Sequence, residues 1–268
     1  MLAEGRTPLD HHRATIDRAV ARLRIRDDVL AVLVGGSIAH GFATAASDVD
    51  LMVVVSNEDW ERRLAAGDVT ELDLESPTWD GGYVDSKYTS VGFIREVAAR
   101  GSEPARFAFE DAIVAWTRID GLDDVLRAAA RYPMEGEPER IRTFRAQLAY
   151  WHWLSGEAHR SGNDWLRRLA ASNVVLFAGR LVLIHNHRLY PGFKWLLRVL
   201  ADVPDHPQDF RAAIDRATAS TDPADVDALV RLVDELREWD DDPHGWGARF
   251  MVDTELAWMH GPPTAADR

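Results

Sequence analysis

Cysteine is missing from this chain of 268 residues. Its absence excludes a disulfide framework, a thiolate zinc site and a cysteine nucleophile, and it fits a reducing compartment. The opening stretch MLAEGRTPLDHHRATIDRAV lacks the apolar core of a signal peptide. No uninterrupted apolar run approaches the roughly 18 residues that cross a bilayer. We therefore expect a cytoplasmic protein with no membrane partner.

Basic charge is also scarce. The chain has 31 lysine and arginine residues against 44 aspartate and glutamate residues, which gives a formal net charge of -13. Such a surface repels phosphate backbones unless one face is locally basic. The composition therefore argues against nucleic acid as a partner and is compatible with a cationic one.

Hydrophobic periodicity predicts alternating strands and helices in the first half of the chain. Short apolar runs, several of them bounded by turn residues, indicate strands, and three-to-four-residue spacing indicates helices. The predicted strands are 29–34, 49–55, 83–89 and 111–120, with 68–75 either a strand or a loop. The predicted helices are 9–26, 57–66, 91–101 and 121–133.

Beyond Pro133 every periodic segment has helical spacing, and the segments are separated by breaks such as NHRLYPG and DVPDHP. We therefore predict two domains. Residues 1–134 would form an α/β (α+β) core with a small mixed sheet, and residues 135–268 an all-α helical bundle.

Two short motifs lie between the first two predicted strands, in VLVGGSIAHGFATAASDVDLMVVV. Asp48 and Asp50 are two residues apart at the start of a strand, so their side chains project to the same face. Burying two neighbouring carboxylates without a cation is costly. A pair of Mg²⁺ ions, which prefer oxygen ligands, would resolve that cost.

The glycine motif precedes this acidic pair. Gly35 and Gly36 let the backbone approach a bulky anion closely, and their amides, with the Ser37 hydroxyl, are suited to phosphate oxygens. The segment is not a Walker A loop, because GGSIAHG lacks the Gly-Lys-Ser/Thr ending. A phosphate cradle beside paired carboxylates predicts a phosphoryl-transfer site.

The order strand, Gly-Gly-Ser, helix, Asp-Val-Asp on the next strand resembles the DNA polymerase β-like nucleotidyltransferase superfamily. The resemblance implies that Asp48 and Asp50 bridge two Mg²⁺ ions and bind a nucleoside triphosphate. It also implies a third carboxylate on a later strand. Asp85 in GYVDSKY is the first choice for this role, and Asp73 or Glu75 in ELDLES is the alternative.

One lysine in the helical half is also a candidate. Lys194 lies in RLYPGFKWLL at a predicted helix start, where the helix dipole disfavours a cation, so a bound anion would explain it. A similar stretch occurs in some bacterial small-molecule nucleotidyltransferases. That resemblance implies a contact between Lys194 and the triphosphate.

The two-domain plan resembles aminoglycoside and lincosamide adenylyltransferases. It implies Mg²⁺-dependent transfer of a nucleoside monophosphate, with AMP from ATP expected, onto a hydroxyl of a small molecule. An antibiotic acceptor, and hence antibiotic resistance, is a hypothesis within this class, and the acidic run DELREWDDDPHGW would suit a polyamine-like acceptor. A toxin-type enzyme acting on tRNA or protein and a non-catalytic nucleotide-binding or antitoxin module remain alternatives. The acceptor, the preferred base and the oligomeric state stay open.

Overall fold

Two apolar strands form the centre of a five-stranded sheet in the computed structural model, which describes residues 9–261. The strands lie in the order β3-β4-β2-β1-β5. Only β2 and β4 are parallel, so the sheet is mixed, as predicted. The strands are β1 (Val29–Val34), β2 (Val49–Val55), β3 (Thr70–Asp73), β4 (Val84–Ser90) and β5 (Ile113–Thr117).

Strand β1, which lies between β2 and β5, is apolar along its whole length because both faces of the sheet are covered. Val32 and Val34 pack with α1 on one face, whereas Ala31 and Leu33 pack with α4 and α6 on the other. The helices of this part of the chain are α1 (Asp10–Leu23), α2 (Gly36–Ala39), α3 (Asn57–Ala66), α4 (Val91–Arg100), α5 (Glu103–Glu110) and α6 (Leu122–Ala129).

Two local details differ from the sequence prediction. The sequence favours Asn57 as the cap of the predicted helix 57–66, but in the structure Ser56 caps α3, since its hydroxyl accepts a hydrogen bond from the Asp59 N–H at 3.0 Å. The short helix α5 was not predicted. Its Arg106 is buried and donates to backbone carbonyls at the ends of α4 and α6, including Ala98 and Arg131, so tertiary contacts hold this helix.

The chain divides into two compact units between Arg131 and Tyr132. The second unit is helical throughout, as predicted. Two of its segments differ from the regular helices that their periodicity suggests. The helix that follows Phe193-Lys194-Trp195 has only five residues. The last segment begins as an α-helix and continues as a π-helical turn and then a 3₁₀ turn. The elements are α7 (Glu137–Arg160), α8 (Asp164–His185), α9 (Leu196–Leu200), α10 (Phe210–Ser220), α11 (Pro223–Leu236), α12 (Trp246–Phe250), the π turn Met251–Glu255 and the 3₁₀ turn Ala257–Met259.

Helix α8 is long and rich in apolar residues. Among residues 9–261 it is the one helix whose length and hydropathy would allow it to cross a membrane, although charged residues interrupt its sequence. More than half of its most apolar window, 56%, is buried inside the protein. That burial is typical of the central helix of a bundle.

Candidate functional site

The parallel pairing of β2 and β4 places two predicted site residues next to each other. Asp50 and Asp85 are direct partners in the register, so their side chains project from the same face of the sheet. Both carboxylates are half-buried, with 28% and 35% of the side chain exposed. The register between the two strands thus fixes a pair of like charges at one position.

Asp48, the other acid of the Asp-Val-Asp motif, lies just before β2. The Tyr83 hydroxyl hydrogen-bonds the Asp48 side chain, and the Val49 N–H donates to the Tyr83 carbonyl oxygen at 3.2 Å. The hydrogen bond to Asp48 raises the pKa of Tyr83, and the negative charges of Asp48, Asp50 and Asp85 add to the effect. The three aspartates therefore share one electrostatic neighbourhood.

The backbone of Gly36 lies directly against the Asp50 carboxylate. Gly36 has a φ of +58°, and a Cβ added to it would lie 2.8 Å from the Asp50 Cβ and would overlap the carboxyl group. The Gly35 N–H also donates to the Asp50 carbonyl oxygen at 3.0 Å. Glycine is required at position 36 both for the left-handed backbone and for this close approach.

Ser37 completes the Gly-Gly-Ser motif at the start of α2. Its side chain is buried, with 7% exposure, and its hydroxyl has no hydrogen-bond partner within residues 9–261. A buried hydroxyl without a partner costs free energy. A ligand oxygen at this position would remove that cost, and a phosphate oxygen fits a hydroxyl donor.

The carboxylates suit a divalent cation that the nucleotide helps to bind. In the described part of the chain, no three histidine, aspartate or glutamate side chains converge tightly enough to hold a metal by themselves. Mg²⁺ in such sites commonly uses one or two carboxylates, several waters and the substrate phosphates. Asp50 and Asp85 have the donor atoms for such a site, and the unpartnered hydroxyl of Ser37 could meet a phosphate oxygen next to it.

The alternative third carboxylates lie elsewhere. Leu72 pairs with Asp85 in the register, so Asp73, one residue further on β3, projects to the opposite face of the sheet. Asp73 is buried and accepts hydrogen bonds from the backbone N–H groups of Glu75 and Ser76 at 2.8 and 3.0 Å. Burial by itself would raise the pKa of Asp73, but hydrogen bonds from Ser76 and Glu75 and the charge of Arg22 lower it.

Asp73 therefore closes a turn and forms an ion pair, whereas Glu75 follows the end of β3. Asp73 is not brought to the face that holds Asp50 and Asp85. Of the three residues considered from sequence for the third position, Asp85 is the one that the strand register pairs with Asp50. Its role as a ligand remains a prediction.

Two histidines of α1 hold the loop that leads to Asp48. The Nε2 atom of His11 hydrogen-bonds the Ala45 carbonyl oxygen at 3.1 Å, and that of His12 hydrogen-bonds the Ser47 carbonyl oxygen at 3.0 Å. Both rings also contact Trp79. These residues were missed from sequence, although the four-residue spacing of His12 and Ile16 places both on the buried face of α1.

Lys194 belongs to the second unit. It lies in a turn two residues before α9, is exposed, and holds its Nζ 4.9 Å from the centre of the Trp195 ring. Because α9 begins at Leu196 and has five residues, the helix-dipole argument for a bound anion no longer applies. A triphosphate contact by Lys194 stays a prediction.

The acidic loop after α11 is largely neutralised within its own unit. Each of its three consecutive aspartates has an arginine partner, at distances of 2.7, 2.8 and 3.8 Å. The pairs are Asp240 with Arg142, Asp241 with Arg145, and Asp242 with Arg249. The loop therefore attracts a polyamine-like molecule less strongly than its sequence suggests.

Comparisons with known proteins bear on the same region. Residues 16–89 match the family model of the nucleotidyltransferase domain, a span that contains the Gly-Gly-Ser motif and all three aspartates. A search of the curated proteins gave no match.

Two solved structures give low similarity scores. A nucleotidyltransferase-like protein from Exiguobacterium sibiricum is 11% identical, with 93% of this chain and 79% of that chain covered and a TM-score of 0.47. Spectinomycin adenyltransferase AAD(9) from Enterococcus faecialis, solved with ATP and spectinomycin, is 12% identical, with 82% and 98% covered and a TM-score of 0.38.

The family match assigns residues 16–89 to the nucleotidyltransferase domain. The chain is therefore a nucleotidyltransferase enzyme. Enzymes of this kind use a nucleoside triphosphate as co-substrate together with a divalent metal.

Replacing Gly36 by alanine tests the close approach to Asp50. We expect Gly36→Ala to abolish the rise in Tm that a nucleoside triphosphate and a divalent metal together produce, because the new methyl group displaces the Asp50 carboxylate. Gly67→Ala is the matched control, since Gly67 has a φ of +72° with nothing within 4 Å of an added Cβ. Equal loss of the ligand-induced Tm shift in both variants would contradict the argument.

The buried His12 predicts a stability change in mild acid. Burial lowers the pKa of His12, despite the hydrogen bond with Ser47. The unfolded chain therefore takes up a proton near pH 6.5 before the folded protein does, and the free energy of unfolding falls as the pH drops from 6.5 through the lowered pKa. Urea denaturation at pH 7.5 and 5.5 measures this loss. His12→Asn should show a smaller loss between the two pH values than the wild type, and an unchanged difference would refute the assignment.

Proposed function

We propose that this protein transfers AMP from ATP onto a hydroxyl group of a small molecule in a Mg²⁺-dependent reaction. The observation that supports this most is the pairing of Asp50 with Asp85 beside the buried, unpartnered hydroxyl of Ser37. Paired carboxylates next to a buried hydroxyl without a partner suit phosphoryl transfer better than they suit a purely structural role.

Asp48, Asp50 and Asp85 would hold two Mg²⁺ ions. When bound, the ions would neutralise the negative charge that develops on the phosphates during transfer. Ser37 would donate its hydroxyl hydrogen bond to a phosphate oxygen, and the glycine at position 36 lets the backbone beside Ser37 lie directly against the Asp50 carboxylate. Lys194 is proposed as a further contact to the triphosphate.

In the transfer step, the acceptor oxygen attacks the α-phosphorus of ATP. The bond from that phosphorus to the bridging oxygen breaks, pyrophosphate leaves, and the hydroxyl proton passes to the Asp85 carboxylate. Asp85 has the exposure to reach an acceptor, since about a third of its side chain, 35%, is accessible.

The chain-wide charge of -13 favours a cationic acceptor over nucleic acid, and the absence of cysteine fits a cytoplasmic location. An aminoglycoside-like antibiotic meets the requirement for a hydroxylated cation. Antibiotic resistance is therefore the physiological role to test first.

The assay uses the full-length protein, Mg²⁺ and each α-labelled nucleoside triphosphate. The acceptor panel contains aminoglycosides, lincosamides, bulk tRNA and a protein mixture. We expect label from ATP on a small molecule. Label on tRNA or protein would favour a toxin-type enzyme, whereas nucleotide binding without transfer to any member of the panel would favour a non-catalytic module.

Aspartate-to-asparagine variants distinguish the two proposed site residues, Asp50 and Asp85, from Asp73, to which we assign a structural role. Asp50→Asn and Asp85→Asn should lower kcat/KM by about 10²-fold or more, because each removes a charge that faces the reacting phosphates. Asp73→Asn should retain kcat/KM within a few-fold while lowering Tm, since Asp73 closes a turn on the other face of the sheet. Steady-state kinetics and thermal melts measure both effects. A loss of kcat/KM in Asp73→Asn that matches Asp85→Asn would overturn the choice of Asp85.

A further inference from the structure

Lys87 lies between the two facing carboxylates of the site. Its Nζ is 3.8 Å from the Asp50 Oδ1 and 3.5 Å from the Asp85 Oδ2. Lys87 is two residues beyond Asp85 on β4 and pairs with Met52 in the register, so its side chain leaves the same face of the sheet. One ammonium group therefore lies close to both acids.

Lysine is a rare residue in this chain. Of 31 lysine and arginine residues, only Lys87 and Lys194 are lysines. The two types differ chemically: the guanidinium of arginine forms a planar fork suited to bidentate pairing, whereas the lysine ammonium is a compact charge on a flexible stem. A compact charge can lie between two carboxylates and leave again without breaking a bidentate pair.

The contacts of Lys87 are loose. Distances of 3.5 and 3.8 Å exceed normal hydrogen-bond lengths, so charge attraction rather than hydrogen bonding joins the three groups. The lysine side chain is 60% exposed, and ion pairs of such side chains are weak and easily displaced. Exposed side chains of this type change rotamer in picoseconds to nanoseconds.

We propose that Lys87 takes the place of a metal cation while no nucleotide is bound, and that it then moves to a phosphate of the incoming nucleotide. The inference rests on the proposed function, because it takes Asp50 and Asp85 as metal ligands. Without a cation, the two facing carboxylates would repel each other. The Lys87 ammonium offsets that repulsion, and a divalent cation entering with the nucleotide displaces it. The freed ammonium then binds a phosphate oxygen as a point charge.

This proposal predicts that removing the Lys87 ammonium changes the affinity for metal and the affinity for nucleotide in opposite directions. Removing the ammonium removes a competitor for the carboxylates, so the metal should bind more tightly when nucleotide is absent. The same change removes a phosphate contact, so the nucleotide should bind more weakly. A merely structural lysine would not produce this combination.

The test compares Lys87→Met, which keeps the length of the stem, with the wild type. Free Mn²⁺ is followed by electron paramagnetic resonance without nucleotide. We expect the Mn²⁺ Kd of Lys87→Met to be about fivefold lower, the scale of one exposed ion pair. We also expect its KM for the nucleoside triphosphate to be about tenfold higher, the scale of one charged hydrogen bond. Arg100→Met, which removes a positive charge from an exposed position on α4, should leave the Mn²⁺ Kd unchanged.

An unchanged or weaker Mn²⁺ affinity in Lys87→Met would overturn the inference. Lys87→Arg provides a second check, because it keeps the charge and so should not bind Mn²⁺ more tightly than the wild type. Asp50→Asn and Asp85→Asn distinguish this failure from a failure of the proposed function. If Mn²⁺ binding falls in both aspartate variants but does not improve in Lys87→Met, only the role of Lys87 is wrong. If the aspartate variants bind Mn²⁺ like the wild type, the metal site itself is wrong, and the Lys87 inference fails with it.

Discussion

The repulsion between two carboxylates held side by side is the constraint on which this site depends. Parallel pairing of β2 and β4 fixes the backbone of Asp50 opposite that of Asp85, and most of the residues that follow them on the two strands are buried. Rigid strands hold functional groups more precisely than loops do. The structure therefore maintains an unfavourable charge pair that a cation can stabilise.

The surroundings of that pair all bear on its position or its charge. The backbone of Gly36 contacts the Asp50 carboxylate from one side, and Lys87 approaches from the same face of the sheet. The histidines of α1 hold the loop before Asp48 through its carbonyl oxygens.

The apolar runs of the sequence were sufficient to predict β1 and β2 with their observed bounds, because strands buried on both faces are apolar without interruption. The mixed sheet and the helical second half were also confirmed. The choice between Asp85 and Asp73 could not be made from sequence. Both lie in segments of alternating pattern, and only the β3–β4 register shows that they project to opposite faces.

Other features depended on tertiary contacts in a similar way. The helix α5 was missed because its buried Arg106 binds carbonyl groups of two other helices, which no local pattern reveals. The helix predicted around Lys194 proved to be a turn followed by a short helix, so a periodicity argument overstated its length. Lys87 and Tyr83 alternate with Asp85 along one strand, and this spacing was the available signal for their place at the site.

The location of a bound metal tests the central claim most directly. Crystals of the full-length protein grown with Mn²⁺ and a non-hydrolysable ATP analogue would show the metal by anomalous scattering. The account predicts Mn²⁺ between the carboxylates of Asp50 and Asp85, with phosphate oxygens completing its coordination and one of them near Ser37. Mn²⁺ bound only elsewhere, or nucleotide phosphates distant from Gly36 and Ser37, would contradict it.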